Sequence, residues 1–323
     1  MQTHVSDWYA RRTSRAADWP LVAMEACKAE TRVSVVLPAL DEEATVGAVV
    51  AMVVELGERT GLVDEVVVMD SGSTDATARV AADAGAVVHH RDDVLPEVGS
   101  FPGKGEVLWK SLAVTSGDVV AFIDSDLTDP HPALITGLLG PLLCQPGVSL
   151  VKGCYDRPLA GVDATSGGRV TELVARPLLS RLAPDLAGVV QPLSGEYAAR
   201  RSLLERLPFV SGYGVEVGML LDALRLVGLD AFAQVDLGHR AHRNQSTAAL
   251  GRMAAQVLAT VLSRSTAVHG PDALAGSLTQ FVRDASGDWA PEERDVSLHE
   301  RPPMVTVPGY RARTGAPATA LVG

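Results

Sequence analysis

The chain has 323 residues, enough to bury a substantial core in one large domain or two smaller ones. Its 47% of apolar and 21% of charged residues are ordinary for a globular protein. With 28 basic against 39 acidic residues, a net charge of -11, it lacks the positive excess that neutralises a nucleic-acid backbone, so we expect no nucleic-acid partner. Any anionic ligand must therefore be bound by a small number of locally placed lysine, arginine or metal cations.

Cysteine usage and the lack of long apolar runs favour a cytoplasmic protein. Cys27, Cys144 and Cys154 are odd in number and lack the spacing of metal ligands, so neither a disulfide framework nor a zinc site is expected. The first twenty residues lack the apolar segment of a signal peptide, and no apolar run approaches the length of a membrane span. We therefore expect a cytoplasmic location without a membrane span.

Apolar runs alternate with helical patterns through the first half of the chain. Strands are predicted at Val33–Leu37, Glu65–Met69, Ala86–His89, Val119–Ile123 and Ser149–Lys152. Helices are predicted at Glu43–Leu56, Asp75–Ala84 (capped by Ser73), Lys104–Thr115 and Pro132–Leu143. This alternation predicts an α/β fold with a Rossmann-like, mostly parallel sheet, helices on both of its faces, and ligands at the carboxyl ends of its strands.

The second half is less regular. Its predicted elements are helices at Arg169–Leu182, Val215–Val227 and Ser246–Arg264, and strands at Glu196–Ala198 and Ala231–Leu237. The apolar stripe of the last of these helices indicates core packing or a dimer face rather than a ligand site. From about Ala285 the chain is polar and rich in proline, which predicts a partly disordered tail.

The most informative stretch is Asp124-Ser125-Asp126, where an apolar predicted strand stops at two carboxylates. Carboxylates one residue apart can splay, so that one meets a divalent cation and the other a ribose hydroxyl or a metal-bound water. This arrangement favours a nucleotide diphosphate held through Mg²⁺ or Mn²⁺. Taken alone, such a pair more often begins a surface turn.

Three further polar segments follow strands or begin helices. Glu42 follows the first strand, where it can accept hydrogen bonds from ribose or uracil, or cap a helix. The segment 70–75, DSGSTD, follows the second strand and can form either a nucleoside contact or an ordinary turn. Lys104 lies between two glycines at a helix start, which suits base or phosphate oxygens, although the chain lacks a P-loop and a solvated lysine is the alternative.

These segments together resemble the GT-A fold nucleotide-sugar transferases. The resemblance is carried by VVLPALDEE at 35–43, MDSGSTD at 69–75, GKGE at 103–106 and IDSD at 123–126. The later segments SGGRVTELVARPLL (166–179), QPLSGEY (191–197), YGVEVG (213–218) and RAHRN (240–244) are similar to the actinobacterial glucosyl-3-phosphoglycerate synthases. The similarity runs in order from about Val33 to Leu262, and Asp41 stands where the family commonly has asparagine.

The resemblance implies a metal-dependent enzyme that transfers glucose from UDP-glucose to 3-phosphoglycerate with retention, the first step toward methylglucose lipopolysaccharides. It implies a uridine and ribose site of Pro38, Leu40, Glu42, Ser71, Lys104, Asp124 and Ser125. Further nucleotide-sugar contacts would come from Tyr213 and Arg240, and the metal ligands for Mg²⁺ or Mn²⁺ would be Asp126 and His242. The acceptor site would be formed by Gly168, Arg169, Thr171 and Asn244, the first three at a predicted helix N-terminus that favours anions.

The catalytic residues implied are Asp126 through the metal, His242 and Arg240, which would stabilise charge on the departing diphosphate. Glu216 would act either as the nucleophile of a double displacement or as a ligand of glucose hydroxyls. We favour the second role, with front-face attack by the acceptor, because this route requires no protein nucleophile.

Other functions remain open. The related mannosyl-3-phosphoglycerate synthases share this framework and use GDP-mannose. A sugar nucleotidyltransferase would need a glycine-rich loop near its N-terminus, which is missing, and a noncatalytic nucleotide-sugar sensor could dispense with Arg169 and Thr171. We expect an N-terminal extension (1–30), a nucleotide-sugar-binding half (31–155), an acceptor-binding and metal-completing half (156–284) and a tail (285–323), assembled as a homodimer.

Overall fold

The computed structural model describes residues 1–156, 168–239, 246–265, 276–283 and 289–314. Its strands are β1 (Thr13–Arg15), β2 (Val33–Ala39), β3 (Glu65–Asp70), β4 (Val87–His90), β5 (Val119–Phe122), β6 (Leu150–Asp156), β7 (Tyr197–Arg200), β8 (Phe209–Val210), β9 (Phe232–His239), β10 (Ser277–Arg283), β11 (Trp289–Asp295) and β12 (Glu300–Arg301). Its α-helices are α1 (Thr3–Arg12), α2 (Leu21–Lys28), α3 (Val46–Thr60), α4 (Thr77–Asp83), α5 (Lys104–Ser111), α6 (Ala133–Cys144), α7 (Arg176–Leu182), α8 (Arg201–Leu204), α9 (Val215–Val227), α10 (Thr247–Ser263) and α11 (Pro308–Thr314).

The centre of the fold is an eight-stranded sheet in the order β1-β9-β6-β7-β5-β2-β3-β4. All neighbouring strands are parallel except that β7 runs antiparallel to both β5 and β6. The predicted α/β fold class, mostly parallel with helices on both faces, is therefore confirmed. We call the edge at which the parallel strands end the carboxyl edge.

The apolar runs form strands that are buried on both faces. In β2, Val35 and Leu37 belong to one core cluster, whereas Val36 belongs to the cluster on the opposite face. The first cluster includes the apolar sides of α3 and α6, and the second those of α5 and α9. Strands covered on both faces show continuous rather than alternating hydrophobicity, which explains why these runs are readable in the sequence.

Two predicted helix starts differ from the structure for identifiable reasons. Ser73 does not cap α4, because its hydroxyl donates to Asp70 Oδ1 at 2.7 Å and accepts from the Asp41 N–H at 3.0 Å. The predicted helix at 169–182 contains a π-helical turn, Thr171–Ala175, before α7. Pro177 has no N–H with which to continue an α-helical ladder there, and the turn widens.

Both termini pack on the central fold. At the N-terminus, β1 forms the edge strand on β9, and the buried Trp8 donates its Nε1–H to the Phe232 carbonyl at 3.0 Å. At the C-terminus, composition predicts a partly disordered tail, whereas residues 289–314 are folded. There β12 pairs with β8, and Met304 and Tyr310 are buried. In the described part of the chain, no helix is both long and apolar enough to span a membrane.

Candidate active site

Hydrogen bonds between side chains and backbone join the loops that follow β2 and β3. Asp41 has a left-handed backbone (φ 54°), a conformation that asparagine and aspartate tolerate better than most residues. Its Oδ1 accepts from the Thr74 N–H at 2.8 Å, and the next residue, Glu42, donates its N–H to Thr77 Oγ1 at 2.7 Å. These bonds fix Glu42 at the carboxyl edge beside Leu40, a large apolar residue that is 53% exposed.

Asp70 shapes the turn after β3. Its Oδ1 accepts hydrogen bonds from the N–H groups of Gly72 and Ser73, at 3.2 and 2.9 Å. This turn presents Ser71, which is only 9% exposed, next to Arg91, whose Nη1 donates to Ser71 Oγ at 3.3 Å. Arg91 brings a cation to the predicted uridine site that the motifs did not indicate.

The acidic segment 124–126 lies at the carboxyl edge beside β2, as predicted. Ser125 donates from Oγ to the Pro38 carbonyl at 2.7 Å, which ties the end of β5 to the end of β2. Ser125 is buried, while Asp124 and Asp126 are partly exposed. The two carboxylates are thus accessible beside a fixed serine.

Lys104, Asp124 and Glu216 meet at this edge, and we call them the charge cluster. Lys104 Nζ lies 2.5 Å from Asp124 Oδ1 and 3.2 Å from Glu216 Oε1. Burial alone would lower the pKa of Lys104, but its attraction to Asp124 and Glu216 outweighs burial and raises the pKa above its ordinary value. The ammonium group therefore stays charged, and it links residues from α5, the loop after β5, and α9.

The glycines on either side of Lys104 are required by packing. A Cβ at Gly105 would lie 1.8 Å from the Val210 carbonyl oxygen, and one at Gly103 would lie 2.5 Å from that of Ser211. Gly103 also has a left-handed φ of 112°. The glycines thus bring α5 against β8 and the loop that leads to Tyr213 and Glu216, in addition to leaving Lys104 accessible.

Gly195 provides the space in which Asp124 lies. The antiparallel register pairs Phe122 with Tyr197, which brings Gly195 opposite Asp124 two residues further along. A Cβ on Gly195 would lie 2.3 Å from Asp124 Oδ2. Gly195 belongs to the segment QPLSGEY, and no sequence pattern predicted this role for it.

Replacing Gly195 by alanine is expected to displace the Asp124 carboxylate and disturb its pairing with Lys104. Because misplacing an active-site group by about 1 Å can lower activity about 100-fold, we expect a loss of that order in kcat/KM with a folded protein. Steady-state kinetics and circular dichroism check this. Gly251→Ala is the control, because its nearest atom is the end of the Gln280 side chain; equal activity of the two variants would contradict the steric role of Gly195.

The predicted acceptor residues are described only in part. Gly168 is the first residue of the described range 168–239, and Arg169 is exposed. Thr171, at the start of the π-helical turn, is 5% exposed. Their predicted partner Asn244, together with Arg240 and His242, lies outside the described residues. Strands β6 and β9 are parallel neighbours, so both end at the carboxyl edge.

The metal site can likewise be traced only through Asp126. Within the described residues there is no group of three or more histidine, cysteine, aspartate or glutamate side chains able to hold a metal. Asp126 offers a hard carboxylate ligand at the carboxyl edge, a donor type that suits Mg²⁺ and Mn²⁺.

This fold, with its acidic pair at the carboxyl edge, is that of a GT-A glycosyltransferase. The model of the family described as "Glycosyl transferase family 2" matches residues 34–207, from β2 to the residues just before β8. The glucosyl-3-phosphoglycerate synthase of Mycolicibacterium smegmatis is 53% identical over 303 residues, covering 93% of this chain and 98% of that protein. That of Mycobacterium tuberculosis is 54% identical over 294 residues, covering 88% and 89%.

Solved structures agree. The Mycobacterium tuberculosis synthase in complex with Mn²⁺, uridine diphosphate and phosphoglyceric acid has a TM-score of 0.81 at 52% identity, covering 89% of this chain and 95% of that one. The mannosyl-3-phosphoglycerate synthase of Rubrobacter xylanophilus has a TM-score of 0.86 at 39% identity, covering 94% and 99%. The chain belongs to the glucosyl-3-phosphoglycerate synthase family of glycosyltransferases, and the family resemblance of the sequence motifs is confirmed.

Proposed function

We propose that this enzyme transfers glucose from UDP-glucose to the hydroxyl group of 3-phosphoglycerate with retention of anomeric configuration. The observation that carries the proposal is the charge cluster at the carboxyl edge, beside the loops of Glu42 and Ser71. It occurs in a chain 52% identical to an enzyme solved with Mn²⁺, UDP-glucose and phosphoglyceric acid.

The nucleotide site is assigned to the joined loops. Leu40 supplies apolar surface for the base, with the Pro38 segment beneath it, and Glu42 and Ser71 supply hydrogen-bonding groups. Ser125, held on the Pro38 carbonyl, and Asp124 lie where a ribose would follow the base. The bonds between the two loops hold them in place, so binding requires little ordering of the backbone.

Lys104 and Glu216 are assigned to the diphosphate and the sugar. Lys104 is the charged donor of the cluster, and it can turn from the carboxylates to base or phosphate oxygens. The Glu216 side chain is 8% exposed at the start of α9 and accepts hydrogen bonds well, which suits glucose hydroxyls beside the half-exposed Tyr213. We assign front-face transfer rather than double displacement, because this route requires no protein nucleophile.

The metal would be held by Asp126 and, from the family resemblance, by His242. When bound, Mg²⁺ or Mn²⁺ supplies charge stabilisation to the leaving diphosphate. Arg240 is assigned to the same charge from the protein side. A carboxylate and an imidazole leave positions for phosphate and water oxygens around either ion.

The acceptor is assigned to Gly168, Arg169, Thr171 and Asn244. Arg169 presents an exposed guanidinium at the start of a helical segment, where free N–H groups also favour anions. This local concentration of donors meets the two anionic groups of 3-phosphoglycerate in a protein of net charge -11.

A second candidate donor is GDP-mannose, because the mannosyl-3-phosphoglycerate synthase of Rubrobacter xylanophilus superposes with a TM-score of 0.86. The test is an initial-rate assay of nucleotide release with each donor separately, in the presence of Mn²⁺ and with or without 3-phosphoglycerate. We expect acceptor-dependent UDP release and little GDP release. Acceptor-dependent GDP release alone would reassign the donor, and UDP binding without transfer would favour a sensor.

From the family resemblance we also propose a cytoplasmic homodimer with residues 31–155 as the nucleotide-sugar half and 156–284 as the acceptor half. Sedimentation equilibrium tests the assembly, and a single species at the mass of one chain would contradict it.

A further inference from the structure

Tyr197, the first residue of β7, has a buried hydroxyl without a hydrogen-bond partner. Its side chain is 0% exposed, and among the described residues no group donates to or accepts from its Oη. Leaving such a group unpaired usually destabilises a folded protein, and native structures contain few of them. We therefore expect this hydroxyl to gain a hydrogen-bond partner when the neighbouring site binds its ligand.

In the register of the sheet, Tyr197 lies beside the end of β5, close to Asp124. Tyr197 pairs with Phe122 on one side and with Lys152 on the other. The Phe122 ring lies 4.9 Å from its ring, and Lys152 Nζ lies 4.7 Å from the ring centre. Asp124 follows Phe122 by two residues and therefore continues on the same side of the sheet.

The phenol lies within electrostatic reach of the whole charge cluster. Burial raises its pKa well above the ordinary value, and the neighbouring charges of Glu216 and Asp124 add to this effect while that of Lys104 opposes it. The hydroxyl thus remains a protonated donor close to two carboxylates.

Substrate binding changes the hydrogen-bonding needs of these carboxylates. In the structure, Lys104 bonds to Asp124 at 2.5 Å and lies 3.2 Å from Glu216. If Lys104 turns to the oxygens of a nucleotide sugar, as the proposed function requires, the partly buried carboxylates lose their shared cation. The Glu216 side chain, which is 8% exposed, then needs another donor, because a buried carboxylate without one destabilises the protein.

We propose that Tyr197 is a positioning residue whose hydroxyl donates a hydrogen bond to Glu216 when the nucleotide sugar draws Lys104 away. The bond holds Glu216 in the orientation that receives the sugar hydroxyls. The hydroxyl has no partner among the described residues, so a small loss of stability is exchanged for order in the loaded site.

The test is Tyr197→Phe, which removes only the hydroxyl. We expect the melting temperature to be unchanged or higher, because no bond of the unliganded fold is lost. A hydrogen bond to a charged group is worth about 10- to 100-fold in an equilibrium or rate. We therefore expect kcat/KM for UDP-glucose to fall by about that factor, with KM for 3-phosphoglycerate unchanged.

Tyr310→Phe is the matched control. Tyr310 Oη donates to the carboxylate of Glu205, and neither residue is assigned to the site. This variant is expected to lower the melting temperature and leave the kinetics unchanged, the opposite signature.

Glu216→Gln provides the second arm. If the hydroxyl acts through Glu216, adding Tyr197→Phe to Glu216→Gln causes much less further loss than it does in the wild-type background. Wild-type kinetics of Tyr197→Phe, a fall in its melting temperature like that of Tyr310→Phe, or full additivity with Glu216→Gln would each overturn the proposal. UDP-glucose affinity measured by calorimetry on the same variants tests the proposal even if the wild-type enzyme transfers no sugar, which would overturn the proposed function alone.

Discussion

Replacing Arg301 by methionine is expected to lower the free energy of unfolding by about 3 kcal/mol, because the buried Glu106 carboxylate loses both hydrogen bonds from the guanidinium and is left with Lys110 Nζ at 3.7 Å. Arg301 is 7% exposed and Glu106 is 0% exposed. The guanidinium donates to both oxygens of Glu106, at 2.8 and 2.7 Å. It also lies 4.3 Å from the Phe101 ring centre and donates to the carbonyls of Val98 and Gly99 at 3.0 Å.

Urea unfolding followed by circular dichroism measures this effect. Arg313→Met, at an exposed arginine of the same tail, is expected to change stability by less than about 0.5 kcal/mol. The double variant Glu106→Gln/Arg301→Met also removes the Glu106 charge that the guanidinium no longer balances, and it is expected to recover part of the loss. A loss below about 1 kcal/mol for Arg301→Met would show that the tail contributes little to the fold.

The same contacts connect the tail to the site. Arg301 and Glu106 fasten the C-terminal segment to α5, whose first residue is Lys104, and Trp109 of α5 donates to the Pro302 carbonyl at 2.9 Å. We therefore expect Arg301→Met to be less active even under conditions in which it is folded, because Lys104 is then positioned less firmly.

The largest expected effect on activity comes from Asp126→Asn. The amide keeps the shape of the side chain but removes the negative charge that would bind the divalent metal, so charge on the departing diphosphate loses its main stabilisation. We expect kcat to fall by about 1000-fold or more, a magnitude typical of losing such electrostatic stabilisation. Coupled detection of UDP release over a range of Mn²⁺ concentrations measures the loss.

The control for this variant is Asp129→Asn, three residues further along the same loop at an exposed aspartate. It is expected to retain wild-type activity and metal dependence. If Asp126→Asn keeps the wild-type response to Mn²⁺, Asp126 is not the metal ligand and the metal assignment fails.

The sheet was predictable from sequence because its strands are covered on both faces. Continuous apolar runs such as Val33–Leu37 can satisfy their burial only inside such a sheet, and the polar residues after them then fall at the carboxyl edge. The placement of Glu42, Lys104 and the acidic segment 124–126 at this edge follows from the same reasoning. Their chemical roles, in contrast, came from the family resemblance and stay proposals.

Features that depend on contacts between distant segments escaped prediction. Arg301 and Glu106 are 195 residues apart in the sequence, so their contact could not be predicted. The tail is polar and rich in proline, and this composition gave no sign that Arg301, Met304 and Tyr310 are buried. The role of Gly195 depends on its register opposite Asp124, and that of Tyr197 on a hydroxyl without a partner. Ser73 has the composition of a helix cap, but Asp70 and Asp41 compete for its hydroxyl.

The most direct test of the proposed transfer is a competition in one reaction. The enzyme receives equal concentrations of UDP-glucose carrying ¹³C in every sugar carbon and unlabelled GDP-mannose, together with Mn²⁺ and 3-phosphoglycerate. Mass spectrometry then identifies the sugar by its isotope, and proton NMR reads the anomeric configuration of the product. We expect the heavy, glucosylated product with retained configuration; a light product, or no sugar on 3-phosphoglycerate, would contradict the proposed transfer.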